Sequence, residues 1–217
     1  MKKVYCLSGL GADQRVFKFI ELPGVEMIHV KWLPPERQEP IGAYARRLLA
    51  QFDAQQPVTL LGVSFGGIVA QELAALLPCR RVIILSSIKS PREMPWTISL
   101  VRHTRVHRLV PGWLLKAGNT LTGNYYFSIR SRAEAQLLRE IVRDTDPAFL
   151  RWAVNEVVRW QPPAPVPNLV HFHGIADRIF PAGRIRHFTA IPGGGHFMIA
   201  QEAPLLSRLI AEALDRP

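Results

Sequence analysis

Through its first 89 residues the chain alternates two patterns, short largely apolar runs and stretches whose apolar residues recur every three or four positions. Residues 4–8, 27–32, 58–61 and 81–86 are the runs, and their length suits strands. Asp13 is placed to cap a helix carrying Val16, Phe17 and Ile20. Pro34-Pro35 then breaks the chain, after which Ile41, Ala45, Leu48 and Phe52 recur at helical spacing. Residues 65–77 form a largely apolar helix stopped by Pro78. Apolar strands separated by amphipathic helices predict a parallel sheet covered on both faces.

From Ser90 the pattern changes for about seventy residues. Pro91, Pro95, Pro111 and Gly112 break this stretch, and no apolar strand occurs in it. Helices are predicted over residues 132–142 and 146–160, the second opening with Asp146-Pro147 as cap and first turn. Phe149, Trp152, Ala153, Val157 and Trp160 share one face of that helix, read as its packing face. A proline-rich linker over residues 161–167 returns the chain to strands at 168–172 and 188–191 and a closing helix at 204–214. The expected organisation is one α/β core, residues 1–89 and 161–217, with residues 90–160 inserted as a helical cap over the sheet edge.

With 217 residues, 48% of them hydrophobic, the chain can bury one sizeable core, which favours a single domain with an insertion over two domains. No stretch reaches the roughly 18 uninterrupted apolar residues of a membrane span. Met1-Lys2-Lys3-Val4-Tyr5-Cys6 runs into Ser8, Gly9 and Asp13 without a secretory cleavage pattern, so it is read as the first core strand of a cytoplasmic protein. Cys6 and Cys79 are then expected to be reduced thiols. The 27 basic residues exceed the 17 acidic ones by 10, and residues 90–160 hold 11 basic and 6 acidic residues, half of the excess. Such a charge attracts anions. It is scattered rather than blocked, which fits a solvated helix face better than a nucleic-acid tail.

Candidate chemistry centres on Gly62-Val63-Ser64-Phe65-Gly66-Gly67, set between an apolar strand and an apolar helix. A strand, a sharp turn and a helix with glycines on either side of a serine make a nucleophile elbow, which lifts the hydroxyl above the sheet edge. A serine hydroxyl needs a base, and an imidazole in turn needs a carboxylate to fix its tautomer and balance its charge. His196, after Pro192-Gly193-Gly194-Gly195, is the predicted base; Asp177, in His173-Gly174-Ile175-Ala176-Asp177, is the predicted orienting acid. The chain order is Ser64, Asp177, His196.

These three motifs, each after its own predicted strand, resemble those of the α/β-hydrolase superfamily, of the compact esterase or lipase-like kind, over nearly the whole chain. The resemblance implies an α/β-hydrolase fold with a mostly parallel sheet of about six strands, because the chain starts at what is usually the family's third strand. It further implies an oxyanion hole built from the backbone N–H groups of Phe65 and of Leu10 in the loop Ser8-Gly9-Leu10-Gly11, where Ser8 replaces the histidine of many relatives. The expected activity is hydrolysis of a small-molecule carboxylic ester or thioester through an acyl-enzyme, with no cofactor. A small-molecule receptor on the same fold, with little turnover, is the alternative. Nucleic-acid binding rests on charge alone and is not expected. His103 and His107 lack a third ligand, so no metal is expected, and His171 and His173 are read as an ordinary half-buried pair. The oligomeric state is left open.

Overall fold

A computed structural model describes residues 2–53, 55–98 and 112–216. Six strands, β1 (Lys2–Leu7), β2 (Val25–His29), β3 (Val58–Val63), β4 (Cys79–Leu85), β5 (Leu169–Gly174) and β6 (Thr189–Ile191), form one sheet in the order β2-β1-β3-β4-β5-β6, every pair parallel. The helices are α1 (Ile41–Leu48), α2 (Phe65–Ala74), α3 (Gly112–Tyr126), α4 (Arg132–Asp144), α5 (Pro147–Arg159), α6 (Met198–Gln201) and α7 (Ala203–Asp215).

Every residue of β3 is buried, and successive side chains go to opposite faces. Val58 and Leu60 join a core with Leu48, Leu73 and Trp160, on the side of α1, α2 and α5. Leu61 and Val63 join a second core with Leu206, Ile210 and Leu214 of α7. Burying each such side chain contributes roughly 1.5–3 kcal/mol relative to exposure, so two covered faces explain why these strands are apolar throughout. β2 and β3 flank β1 on opposite sides, which puts the topological switch between β1 and β3. The loop after β1 and the turn after β3 meet there.

Three elements differ from the sequence reading. Residues 13–20 form a short 3-10 turn, Gln14–Phe17, rather than a helix; Asp13 does cap it, accepting from Arg15 N at 2.9 Å, and Val16, Phe17 and Ile20 are buried as expected. β2 ends at His29 rather than at 32: the Val30 N–H makes a last bond to β1, at the Cys6 carbonyl (3.0 Å), and the chain leaves the sheet ahead of Pro34-Pro35. A helix was not expected at Gly112–Tyr126, because Pro111 and Gly112 were read as breakers. A proline ahead of a helix interrupts what precedes it and is at home at a helix start. α3 packs against α4 and α5.

Candidate active site

Ser64 stands between β3 and α2 with φ 52° and ψ −115°, a left-handed conformation that costs a non-glycine residue of order 1–3 kcal/mol. The turn is held by hydrogen bonds from Ser64 N to Leu85 O at 2.8 Å and from the Ser87 hydroxyl to Ser64 O at 2.8 Å. The neighbouring glycines are required by contact. A Cβ on Gly62 would lie 2.4 Å from the Gly66 carbonyl oxygen, and one on Gly66 would lie 2.2 Å from the Leu7 carbonyl oxygen. Strand, turn and helix therefore close tightly enough to leave the Ser64 hydroxyl partly exposed while its neighbours are buried.

Asp177 and His196 come from the loops after β5 and β6, and the same kind of contact joins those loops. A Cβ on Gly174 would stand 2.2 Å from the Gly194 carbonyl oxygen, which instead accepts from Ala176 N at 2.9 Å. Pressed together, the loops bring His196 Nδ1 to 2.8 Å from Asp177 Oδ2 and His196 Nε2 to 2.9 Å from Ser64 Oγ. Both residues are about 4% exposed. The other carboxylate oxygen, Oδ1, accepts from Ile179 N at 2.8 Å and Phe180 N at 2.9 Å. Burial on its own would raise the Asp177 pKa, but the facing His196 and the Phe180 N–H outweigh it and hold the carboxyl below its ordinary value. An ionised Asp177 accepts the Nδ1 proton, which leaves the Nε2 lone pair of a neutral imidazole for the Ser64 hydroxyl. The rings of Phe127 and Phe180 flank the imidazole, with centroids 5.4 and 5.6 Å away.

The loop after β1 lies beside Ser64, so close that a Cβ on Gly9 would be 3.7 Å from the Ser64 Cβ. Its shape is fixed internally. Ser8 donates to Ala12 O at 2.7 Å and accepts from Trp32 Nε1 at 2.9 Å, while Ala12 N donates to Gly9 O at 3.0 Å. Gly11 has φ 68°, and its carbonyl accepts the Thr145 hydroxyl at 2.7 Å. Leu10 and Phe65 both line the cavity that opens at Ser64 and His196, a space of about 500 Å³. Phe65 is the first residue of α2, where helical geometry leaves N–H groups without intrahelical partners.

The sequence reading missed several contributors. His171 and His173 are fully buried rather than half-buried, at 3% and 0% exposure, because β5 lies inside the sheet and both rings pack against Phe188. His173 Nε2 lies 2.8 Å from the Phe180 carbonyl and 3.6 Å from Asp177 Oδ2. Trp32 and Thr145, which hold the Ser8–Ala12 loop, carried no motif; their signal was only that one follows a strand and the other ends a helix. Phe149 and Trp152, expected on the packing face of α5, meet the Phe65 ring edge-on at 6.0 Å. His103 and His107 lie outside the described residues. Cys6 is buried, and both Cys6 and Cys79 are free thiols. No helix among the described residues is long and apolar enough to cross a membrane.

A comparison with curated proteins returned no match. Among solved structures, the chain is similar to a hydrolase from Oleispira antarctica (TM-score 0.75, 15% identity, covering 100% of this chain and 92% of that one). It is also similar to an esterase from Exiguobacterium antarcticum (TM-score 0.71, 15% identity, coverage 99% and 92%). A third is the enol-lactonase from Burkholderia xenovorans LB400 (TM-score 0.74, 12% identity, coverage 99% and 92%). At such identities the likeness is one of fold. The sequence model of the alpha/beta hydrolase family matches residues 4–207, and the chain belongs to that family.

Proposed function

We propose that the protein is a serine hydrolase of small-molecule carboxylic esters or thioesters, with Ser64 as nucleophile, His196 as general base and acid, and Asp177 as the orienting carboxylate. The observation that carries this reading is the unbroken chain Asp177 Oδ2, His196, Ser64 Oγ, with links of 2.8 and 2.9 Å, opening into an apolar cavity. In the first half-reaction Ser64 Oγ bonds to the acyl carbon as its proton passes to His196 Nε2. The tetrahedral oxyanion is stabilised by the backbone N–H groups of Leu10 and Phe65. The intermediate expels the alcohol or thiol, which takes the proton from His196. Water repeats the sequence on the acyl-enzyme and releases the carboxylic acid. Residues 90–160 act as a cap, with α3, α4 and α5 walling the cavity. Free cysteines accord with a reducing, cytoplasmic setting.

Fold similarity to proteins described as an esterase and an enol-lactonase supports the class of reaction. The test is labelling with a fluorophosphonate together with p-nitrophenyl ester turnover. Wild type is expected to label and turn over. Ser64→Ala should lose labelling, and Ser64→Ala and His196→Ala should each lose roughly 10⁴-fold or more in kcat. Labelling that persists in Ser64→Ala, or a wild type that binds small molecules without turnover, would sink the proposal; the second outcome is the behaviour of a receptor.

A further inference from the structure

The hydrolase reading leaves the acyl group unspecified, and the wall of the cavity bears on it. Ser64 and His196 line it together with residues from the segment between β4 and β5: Val142 from α4, Val154 and Val157 from α5, and Gly123 from α3. Among the described residues lining it there is no Asp, Glu, Lys or Arg. Thr122, Tyr126 and Thr145 add hydroxyls. Thr145 donates to Gly11 O and also lies 2.8 Å from Ile141 O, so its proton is engaged by the backbone. A carboxylate or ammonium entering this space would lose its hydration and meet no Asp, Glu, Lys or Arg among the described lining residues. A methylene chain loses nothing polar and gains burial at every step. Gly123 contributes to the shape, since a Cβ there would stand 3.2 Å from Leu138 Cδ2.

We infer, resting on the hydrolase reading, that this cavity is an acyl-chain site for a neutral, aliphatic, medium-length acyl group. At roughly 30 Å³ per heavy atom, its volume of about 500 Å³ holds an acyl chain of roughly eight to ten carbons together with the ester group and the first atoms of the alcohol. Acetyl leaves most of it unfilled. Palmitoyl overfills it. The discriminating power lies in α3, α4 and α5, and the triad itself is indifferent to chain length.

The experiment measures kcat/KM for p-nitrophenyl esters from acetyl to palmitoyl, and for the hemisuccinate as a charged acyl of similar length to butyryl, with fluorophosphonate labelling of Ser64 reporting an intact site. Each added methylene should raise kcat/KM about threefold to fourfold up to octanoyl or decanoyl, with a fall beyond. The hemisuccinate should be at least about a hundredfold poorer than butyrate. Val154→Phe should lower the octanoyl-to-acetyl ratio about tenfold, and Leu138→Ala should move the optimum to longer chains. A wild type that labels but hydrolyses acetyl and octanoyl equally, or accepts the hemisuccinate as readily as butyrate, overturns the acyl-chain site and leaves the serine hydrolase standing. So does a profile that neither variant moves while both still label. A wild type that neither labels nor hydrolyses any of the esters overturns the hydrolase reading itself.

Discussion

Asp177 can orient an imidazole only if its own carboxylate cannot swing. Ile179 and Phe180 hold Oδ1 through their N–H groups, and His173 holds the Phe180 carbonyl at 2.8 Å, so the loop that grips the carboxylate is itself gripped. Burial lowers the His173 pKa despite the nearby Asp177 carboxylate, which keeps the ring neutral with its single proton on Nε2 toward Phe180. His173→Phe keeps a ring of similar size and deletes that N–H. We expect kcat to fall about tenfold to a hundredfold with KM nearly unchanged. The acid limb of the kcat/KM profile should shift to lower pH, because a looser carboxylate stabilises the protonated imidazole less. Gln at position 173, which restores a donor, should recover part of the loss. Steady-state kinetics between pH 5 and 9 measure all of this, and an unaltered kcat in the Phe variant would refute the positioning role. Ser64, Asp177 and His196 were legible in the sequence because each follows its own apolar run and is bracketed by glycines that serve backbone contact. His173 was seen and undervalued. Alternation along a strand tells which face a residue takes, not which loop folds back over it.

Among the elements, the 3-10 turn and the end of α4 are tied by specific side-chain contacts. Arg15 pairs with Asp13 at 2.8 Å and with Asp144 at 2.9 Å, and Thr145, capping the end of α4, reaches Gly11. These charges are partly exposed and screened by solvent, so the ion pairs contribute little. The Thr145 hydroxyl is buried and fixes the carbonyl next to Leu10. Thr145→Val preserves the shape and leaves that carbonyl short of a donor. Unfolding free energy should drop by about 0.5–1.5 kcal/mol, and kcat should fall about threefold to tenfold through a less well-aimed Leu10 N–H. Urea midpoints and single-turnover rates test the two effects separately, and a stability loss with no rate loss would mean that the latch only staples the fold. α5 was legible, since its Asp-Pro start and one-sided aromatics are local signals. α3 was not, because Pro111 and Gly112 were read as breakers. The latch joins residues 134 positions apart, a distance at which a single sequence carries no pairing information.

For the molecule as a whole, the buried imidazoles set its behaviour toward acid. Burial, aided by the proximity of His173 and Lys89, pushes the His171 pKa down to about 2, and His173 moves in the same direction. An unfolded histidine binds its proton near pH ~6.5, so below that the unfolded state holds more protons than the folded one, and stability falls as pH falls. Each imidazole contributes up to about 1.4 kcal/mol per pH unit in this window. Asp177, lowered in the fold, adds its loss only below about pH 4, where an unfolded carboxyl begins to protonate. Urea unfolding at pH 7, 6 and 5 should therefore show a steady decline, and His171→Leu should flatten it; an equal slope in that variant would assign the decline to other groups. The parallel sheet that buries these rings was readable from its apolar strands, and its count of six followed from the family resemblance. The depth of β5 within it depended on β6, which at three residues is a weak sequence signal.

The chain leaves the sheet at the end of β4 and re-enters it as the strand next door, with Val82 opposite Leu169. Everything between is a parenthesis in the fold. None of Ser64, Asp177 or His196 lies inside it, yet α3, α4 and α5 supply part of the lining of the cavity. On the hydrolase reading, changes confined to residues that only line the pocket can alter what it accepts, whereas Phe127, Thr145 and Trp160 of the same segment touch His196, Gly11 and the core. On the hydrolase reading, substrate choice and chemistry would then fall largely to separate stretches of the same polypeptide.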